Sequence, residues 1–144
     1  MIQKVETKME RFSISKDKEK IEQIVNSFIC DQGDFSFMGK EDFEPVLKGE
    51  ELVYAKISCS SDSREDLLQE IYEKIMDLRI ADNQTCILKI ITPEDNPLLT
   101  EEVDDIHATV MGEEETNDLI FSYVTDNDLG FDLSVELVFN KTIE

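Results

Sequence analysis

The sequence predicts a single α/β domain, a mixed four-stranded sheet packed with helices in a two-layer α+β arrangement. Three observations predict it. The chain has 144 residues, which suits one domain and is short for two. From residue 16 on, apolar residues recur at helical and then strand spacing in the order helix, short helix, strand, long helix, strand, helix, strand, strand. The last two strands are separated by a turn, so strands interleaved with helices and finished by a hairpin imply one mixed sheet.

Residues 1–15 have mixed polarity and weak periodicity, which leaves an arm, a strand or a disordered lead-in open; the domain proper is expected over 16–144. Ile21, Ile24, Val25, Phe28 and Ile29 recur at 3–4 residue spacing among charged neighbours and predict the first helix. Gly33 breaks it, and a short polar–apolar alternation follows from Asp34 to Met38. A short helix fits Asp42 to Lys48, with Pro45 in its first turn, where the missing N–H costs little, and Gly49 at its C′ position. Leu52 to Cys59 alternates, with Leu52, Tyr54 and Lys56 on one side and Val53, Ala55 and Ile57 on the other.

The strongest helix follows. Ser63 with Asp66 three residues on is a variant of a capping box, and Glu65 and Asp66 suit the positive end of the helix dipole. Leu67, Leu68, Ile71, Tyr72, Ile75 and Leu78 then form one apolar stripe. Thr85 to Ile91 is a strand closed by Thr92-Pro93, and Thr100 to Met111 is a helix with Val103, Ile106, Val110 and Met111 on one face. Asp118 to Thr125 and Phe131 to Phe139 are the final strands, separated by Asn127-Asp128 and Gly130.

Charge narrows the functions. Fourteen Lys and Arg stand against 34 Asp and Glu, a net charge of −20. Such a surface repels phosphate backbones and anionic headgroups, so neither nucleic acid nor a membrane surface is an expected partner. No apolar run approaches the ~20 residues that cross a bilayer. Met1 to Glu6 lacks a basic flank followed by an apolar stretch, so a cytoplasmic protein is expected.

Candidate chemical groups are few. Cys30, Cys59 and Cys86 are an odd set without C-x-x-C spacing, and Cys59 and Cys86 lie in apolar strands where a thiol acts as a small hydrophobe. His107, the single histidine, sits at the edge of a helix's apolar face. Helical spacing aims the neighbouring Asp104 and Asp105 in different directions, so a metal set is not expected there. Asp126-Asn127-Asp128 resembles a fragment of a calcium loop but lacks the glycine and bidentate glutamate, and turn chemistry explains it. The five glycines form no phosphate-binding pattern, so no cofactor is expected. Asp42 with Phe43 is the local site singled out, set against a role for Asp42 as the cap of the short helix.

Several segments in order resemble the FtsZ/tubulin family. Lys40-Glu41-Asp42-Phe43-Glu44-Pro45 resembles the acidic N-x-D-F-x-D loop. Ser63-Arg64-Glu65-Asp66-Leu67-Leu68 is similar to the G-E-D-R-A helix start, and Cys86-Ile87-Leu88-Lys89-Ile90-Ile91-Thr92 to the V-L-V-N-I-T strand. Asn96 to Val103 resembles the next helix, and Tyr123 to Gly130 with Leu133 to Leu137 the closing strands. The likeness runs over residues 18–139 and is to the C-terminal domain alone, with no counterpart of the glycine-rich GTP-binding half.

The resemblance implies a FtsZ/tubulin C-terminal-like sheet and a place in protein assembly. In the family, the acidic loop of one subunit completes the GTPase site of the next through an Asn and two carboxylates. Here Lys40 stands at the Asn and Pro45 at the second carboxylate, while Asp42 keeps the first. The loop is therefore expected to be non-catalytic and the chain not an enzyme. The expectation is an interaction module that binds or caps an FtsZ-type GTPase filament in cell division through Lys40, Asp42 and Phe43. A homo-oligomer is compatible with this. Alternatives are a self-associating scaffold unrelated to filaments, or an excised C-terminal part of a longer FtsZ-like GTPase.

Overall fold

A computed structural model of the protein describes residues 9–28, 40–112 and 117–142. The element order is β1 (Met9–Ser15), α1 (Lys18–Phe28), a 3-10 turn (Lys40–Asp42), α2 (Glu44–Leu47), β2 (Leu52–Ser60), α3 (Arg64–Asp77), β3 (Thr85–Thr92), α4 (Thr100–Met111), β4 (Asp118–Thr125) and β5 (Leu133–Asn140). The strands form one mixed sheet in the order β1-β2-β5-β3-β4. The α/β class and the mixed sheet packed with helices are as the sequence predicts.

Three features differ from expectation. The sheet has five strands, because Met9–Ser15 pairs antiparallel with β2, Phe12 opposite Ile57 and Ile14 opposite Ala55. Helices cover both faces, giving three layers in place of two. And β4 and β5 do not form a hairpin: β4 runs parallel to β3, while β5 inserts antiparallel between β2 and β3. The physical reason for the last lies in β5 itself. Its residues Leu133–Phe139 are buried on both faces, the signature of a central strand, and seven residues separate it from β4 where hairpin loops usually have 2–5.

Period-two alternation divides the core. Val53, Ala55, Ile57 and Cys59 of β2, Cys86, Leu88 and Ile90 of β3, and Leu133, Val135, Leu137 and Phe139 of β5 face α3 and α4. Those helices contribute Leu67, Ile71, Ile75, Ile106 and Val110 to the same cluster. The alternate residues Leu52, Ile87, Ile120 and Val138 face α1 and α2, which supply Ile21, Val25, Phe28 and Val46. The burial of these side chains is the main stabilising term, at about 25 cal/mol per Å² of apolar surface.

Helix α3 begins where the sequence places it. The Ser63 hydroxyl oxygen accepts the Asp66 amide at 3.2 Å, satisfying one of the donors a helix start leaves unpaired. It ends at Asp77 with Leu78 as C-cap. Helix α4 starts without a polar cap residue, but the Glu102 carboxylate accepts the Leu99 amide at 2.7 Å. The connection after β4 is a turn in which Asp128 donates its amide to the Asp126 carboxylate at 2.9 Å and Gly130 takes φ +77°. Asn127 accepts the Glu94 amide at 2.9 Å. Turn chemistry, as expected, accounts for that acidic trio. Among the described residues no group of three or more His, Cys, Asp or Glu is arranged to hold a metal ion, and no helix is long and apolar enough to cross a membrane.

Candidate functional site

The segment from Lys40 to Leu47 carries the residues singled out in the sequence. Lys40–Asp42 makes one 3-10 turn and Phe43 is the N-cap of α2, with no side-chain cap hydrogen bond. The structure thus does not make Asp42 the cap of this helix. Pro45 lies in the first turn, as expected. Glu41, Asp42, Glu44 and Pro45 are exposed, whereas Phe43 and Val46 are fully buried.

Phe43 is the correction. Its ring belongs to the core between α1, α2 and the sheet, with Ile21, Val25, Val46, Ile87 and Val138. It anchors the turn and offers no surface to a partner. Of the expected set Lys40, Asp42 and Phe43, Asp42 is exposed, and with the neighbouring Glu41 and Glu44 it makes an exposed acidic crest. Two contacts with Asn140 hold this crest in place. The Asn140 side-chain amide donates to the Val46 carbonyl at 3.1 Å, tying α2 to β5. Gly49 lets the chain pass close by: a Cβ there would lie 1.8 Å from Asn140 Oδ1. Gly49 does stand just beyond the C-cap Lys48, but close approach to Asn140, not a left-handed backbone, is what requires it.

Next to the crest, at the end of the sheet, lies an open depression of about 810 Å³ that includes Pro45, Glu50, Glu51, Asp82, Asp118 and Lys141. Its rim is acidic, which continues the negative character of the crest.

The other candidates are structural. Cys59 and Cys86 are buried in the α3/α4-side core and are not in a disulfide. Desolvation pushes the Cys86 thiol up to about 12, so it stays protonated and unreactive. Cys30 lies outside the described residues, as do Gly33 and the Asp34–Met38 alternation. His107 packs edge-on against Phe121, ring centroids 4.2 Å apart, with a buried Nε2 that has no hydrogen-bond partner. Desolvation lowers its pKa, and Asp104 opposes that only partly.

One charged set was not singled out in the sequence. On the α1/α2 side of the sheet, Lys56, Glu136 and Lys89 are direct neighbours across β2, β5 and β3. Glu136 is buried, accepts the Tyr54 hydroxyl, and lies 3.4 Å from Lys89 Nζ. Lys89 also stands 5.3 Å over the Phe28 ring. Burial first, and then the Glu136 charge, raise the Tyr54 phenol well above its ordinary value. The signal was present: Glu136 and Lys89 interrupt otherwise apolar strands, and a charge inside a central strand needs a partner. Lys89 offsets the Glu136 charge from β3, and the Tyr54 hydroxyl ties the same carboxylate to β2, so Glu136 links three strands.

Compared with known proteins, no family model matches the sequence, and no curated protein matches it. A solved structure does: an FtsZ dimer in its empty form from M. jannaschii, 20% identical, with a TM-score of 0.50. The match covers 85% of this chain and 38% of that chain. At this identity the likeness is one of fold, and the class of protein is defined accordingly: this is a domain with an FtsZ-like α/β fold.

Proposed function

We propose that the chain is a non-catalytic interaction module that corresponds to the C-terminal domain of FtsZ-like proteins, and that in the cytoplasm it binds or caps a filament of an FtsZ-type GTPase in cell division. The observation that carries this reading is the exposed acidic crest Glu41, Asp42 and Glu44, held rigidly by buried Phe43 and Val46 on an FtsZ-like fold. Lys40 and Pro45 replace the polar groups that would orient a water, so contact can persist where turnover cannot. A module of this kind, whose five glycines form no phosphate-binding pattern, occupies one filament end and blocks addition there.

The test is light-scattering polymerisation of an FtsZ from the same organism with the chain added in excess. Shorter polymer without faster GTP turnover is expected, and Lys40→Glu together with Asp42→Lys should remove the effect while leaving the fold intact. An unchanged polymer signal at saturating chain would overturn the proposal.

A further inference from the structure

Charge is not spread evenly along this acidic chain. Six of its fourteen Lys and Arg fall in the first twenty residues, against four of its thirty-four Asp and Glu. That segment is therefore net +2 and the remainder −22. Strand β1 lies within it, at one edge of the sheet, and among the described residues it pairs only with β2. From Arg11 to Ile14 it is exposed throughout.

Phe12 and Ile14 share the sheet face of α3 because they stand opposite Ile57 and Ala55. Among the described residues helix α3 packs over β2 and against α4 and reaches β1 only along its border, through Lys74, Asp77 and Leu78. Phe12 is 40% and Ile14 47% exposed, large values for apolar residues of a sheet. Together with Leu78 and Phe139 they border a groove of about 160 Å³. Lys16 and Lys141 line the same groove beside Asp77. Lys74, which also faces Glu70 at 4.0 Å, stands 5.4 Å over the Phe12 ring. An uncovered edge offers backbone donors and acceptors, and natural edges are usually blunted by charge, proline or a covering element. This one sets two exposed apolar side chains between Arg11 and Lys16, a charge that disfavours an apolar or cationic strand and leaves an acidic one as the matching partner.

We infer that β1 receives an extended acidic segment of another protein by strand addition. Backbone pairing supplies the affinity and alternate side chains supply the specificity. Cross-strand matching fixes the pattern: an acidic residue opposite Lys16, apolar residues opposite Ile14 and Phe12, a small polar residue opposite Ser13, and an acidic residue opposite Arg11. A second copy of this chain is a poorer occupant, because β1 against β1 brings two strongly anionic bodies edge to edge. This inference is independent of the filament reading, which concerns the opposite charge on a different segment.

The probe is a fluorescein-labelled peptide, Thr-Asp-Thr-Val-Thr-Val-Glu-Thr, antiparallel to β1 with its Asp opposite Lys16 and its Glu opposite Arg11, titrated with the full chain and read by polarisation. Saturable binding is expected, weakening with salt, and Arg11→Glu with Lys16→Glu should weaken it by more than about tenfold. Phe12→Thr with Ile14→Thr keeps the strand propensity and should weaken it similarly. Hydrogen exchange at residues 9–15 should slow when the peptide is bound. Equal binding of a peptide with every acid replaced by lysine would overturn the inference. So would absence of binding, or a dimer whose residues 9–15 are already protected without peptide, since a second copy would then cover the edge.

Discussion

Phe43→Ala separates two roles that the sequence alone does not distinguish. If the ring were a partner contact, its removal would leave the isolated chain unaffected. The structure places it fully buried among Ile21, Val25, Val46, Ile87 and Val138. Truncating a buried Phe costs about 3–5 kcal/mol, the lower end where neighbours can collapse into the space. Helix α2 has four residues and can move inward, so about 3–4 kcal/mol is expected. For a chain of this length each kcal/mol lowers the melting midpoint by roughly 3 °C, so a fall of about 10 °C should appear in a thermal melt followed by circular dichroism. Glu41→Ala, on the exposed crest, should change stability by no more than about 0.5 kcal/mol. A Phe43→Ala midpoint within about 2 °C of wild type would refute the assignment of this ring to the core.

Gly49→Ala should destabilise by about 1–3 kcal/mol in urea titration, because its methyl would force the Asn140 side chain off the Val46 carbonyl; Asn140→Ala in the same background should recover part of the loss. Tyr54→Phe removes the hydroxyl that Glu136 accepts and should cost about 1–3 kcal/mol by the same measurement. In the wild type the raised phenol keeps its proton in the folded state after the unfolded chain has begun to lose its own, so stability should fall as pH rises beyond about 10. His107, the single histidine, gives one imidazole signal by NMR, and its midpoint should lie below 6.5. There the unfolded state binds the proton first, so its contribution to stability is held above about pH 6.5 and is lost as pH falls toward the folded midpoint. His107→Gln should flatten that part of the stability profile; a midpoint above 6.5 would contradict burial of the ring.

What was legible in the sequence follows from how far each signal reaches along the chain. Helix α3 was legible because its signals are local: a serine cap, acids in the first turn, and a stripe repeating over four turns. Cys59 and Cys86 were legible for the same reason, since their strands announce burial on their own. The placement of β5 was not, because its pairing partners β2 and β3 lie far away in the chain and only its two-sided burial hints at a central position. Phe43 was misassigned because a four-residue helix has no period from which to tell inside from outside. Strand β1 stayed ambiguous because Phe12 and Ile14 alternate correctly but only pairing with β2 makes seven residues into a strand. In the charged row, Glu136 and Lys89 stood out as charges in apolar strands, but their meeting depends on the β3–β5 register, which no local pattern encodes.

The central position of β5 also constrains how the domain can be made. Synthesis delivers β1 with β2, and later β3 with β4, as two separate pairs, each with an inner edge waiting for the same strand. Until Leu133–Asn140 has left the ribosome those edges, rich in Val, Ile and Leu, remain open together. The half-made chain is then the form most exposed to wrong strand pairing. Folding of this sheet is therefore a late event in translation, decided when its keystone arrives, and a slow passage through the codons before β5 would lengthen the vulnerable interval.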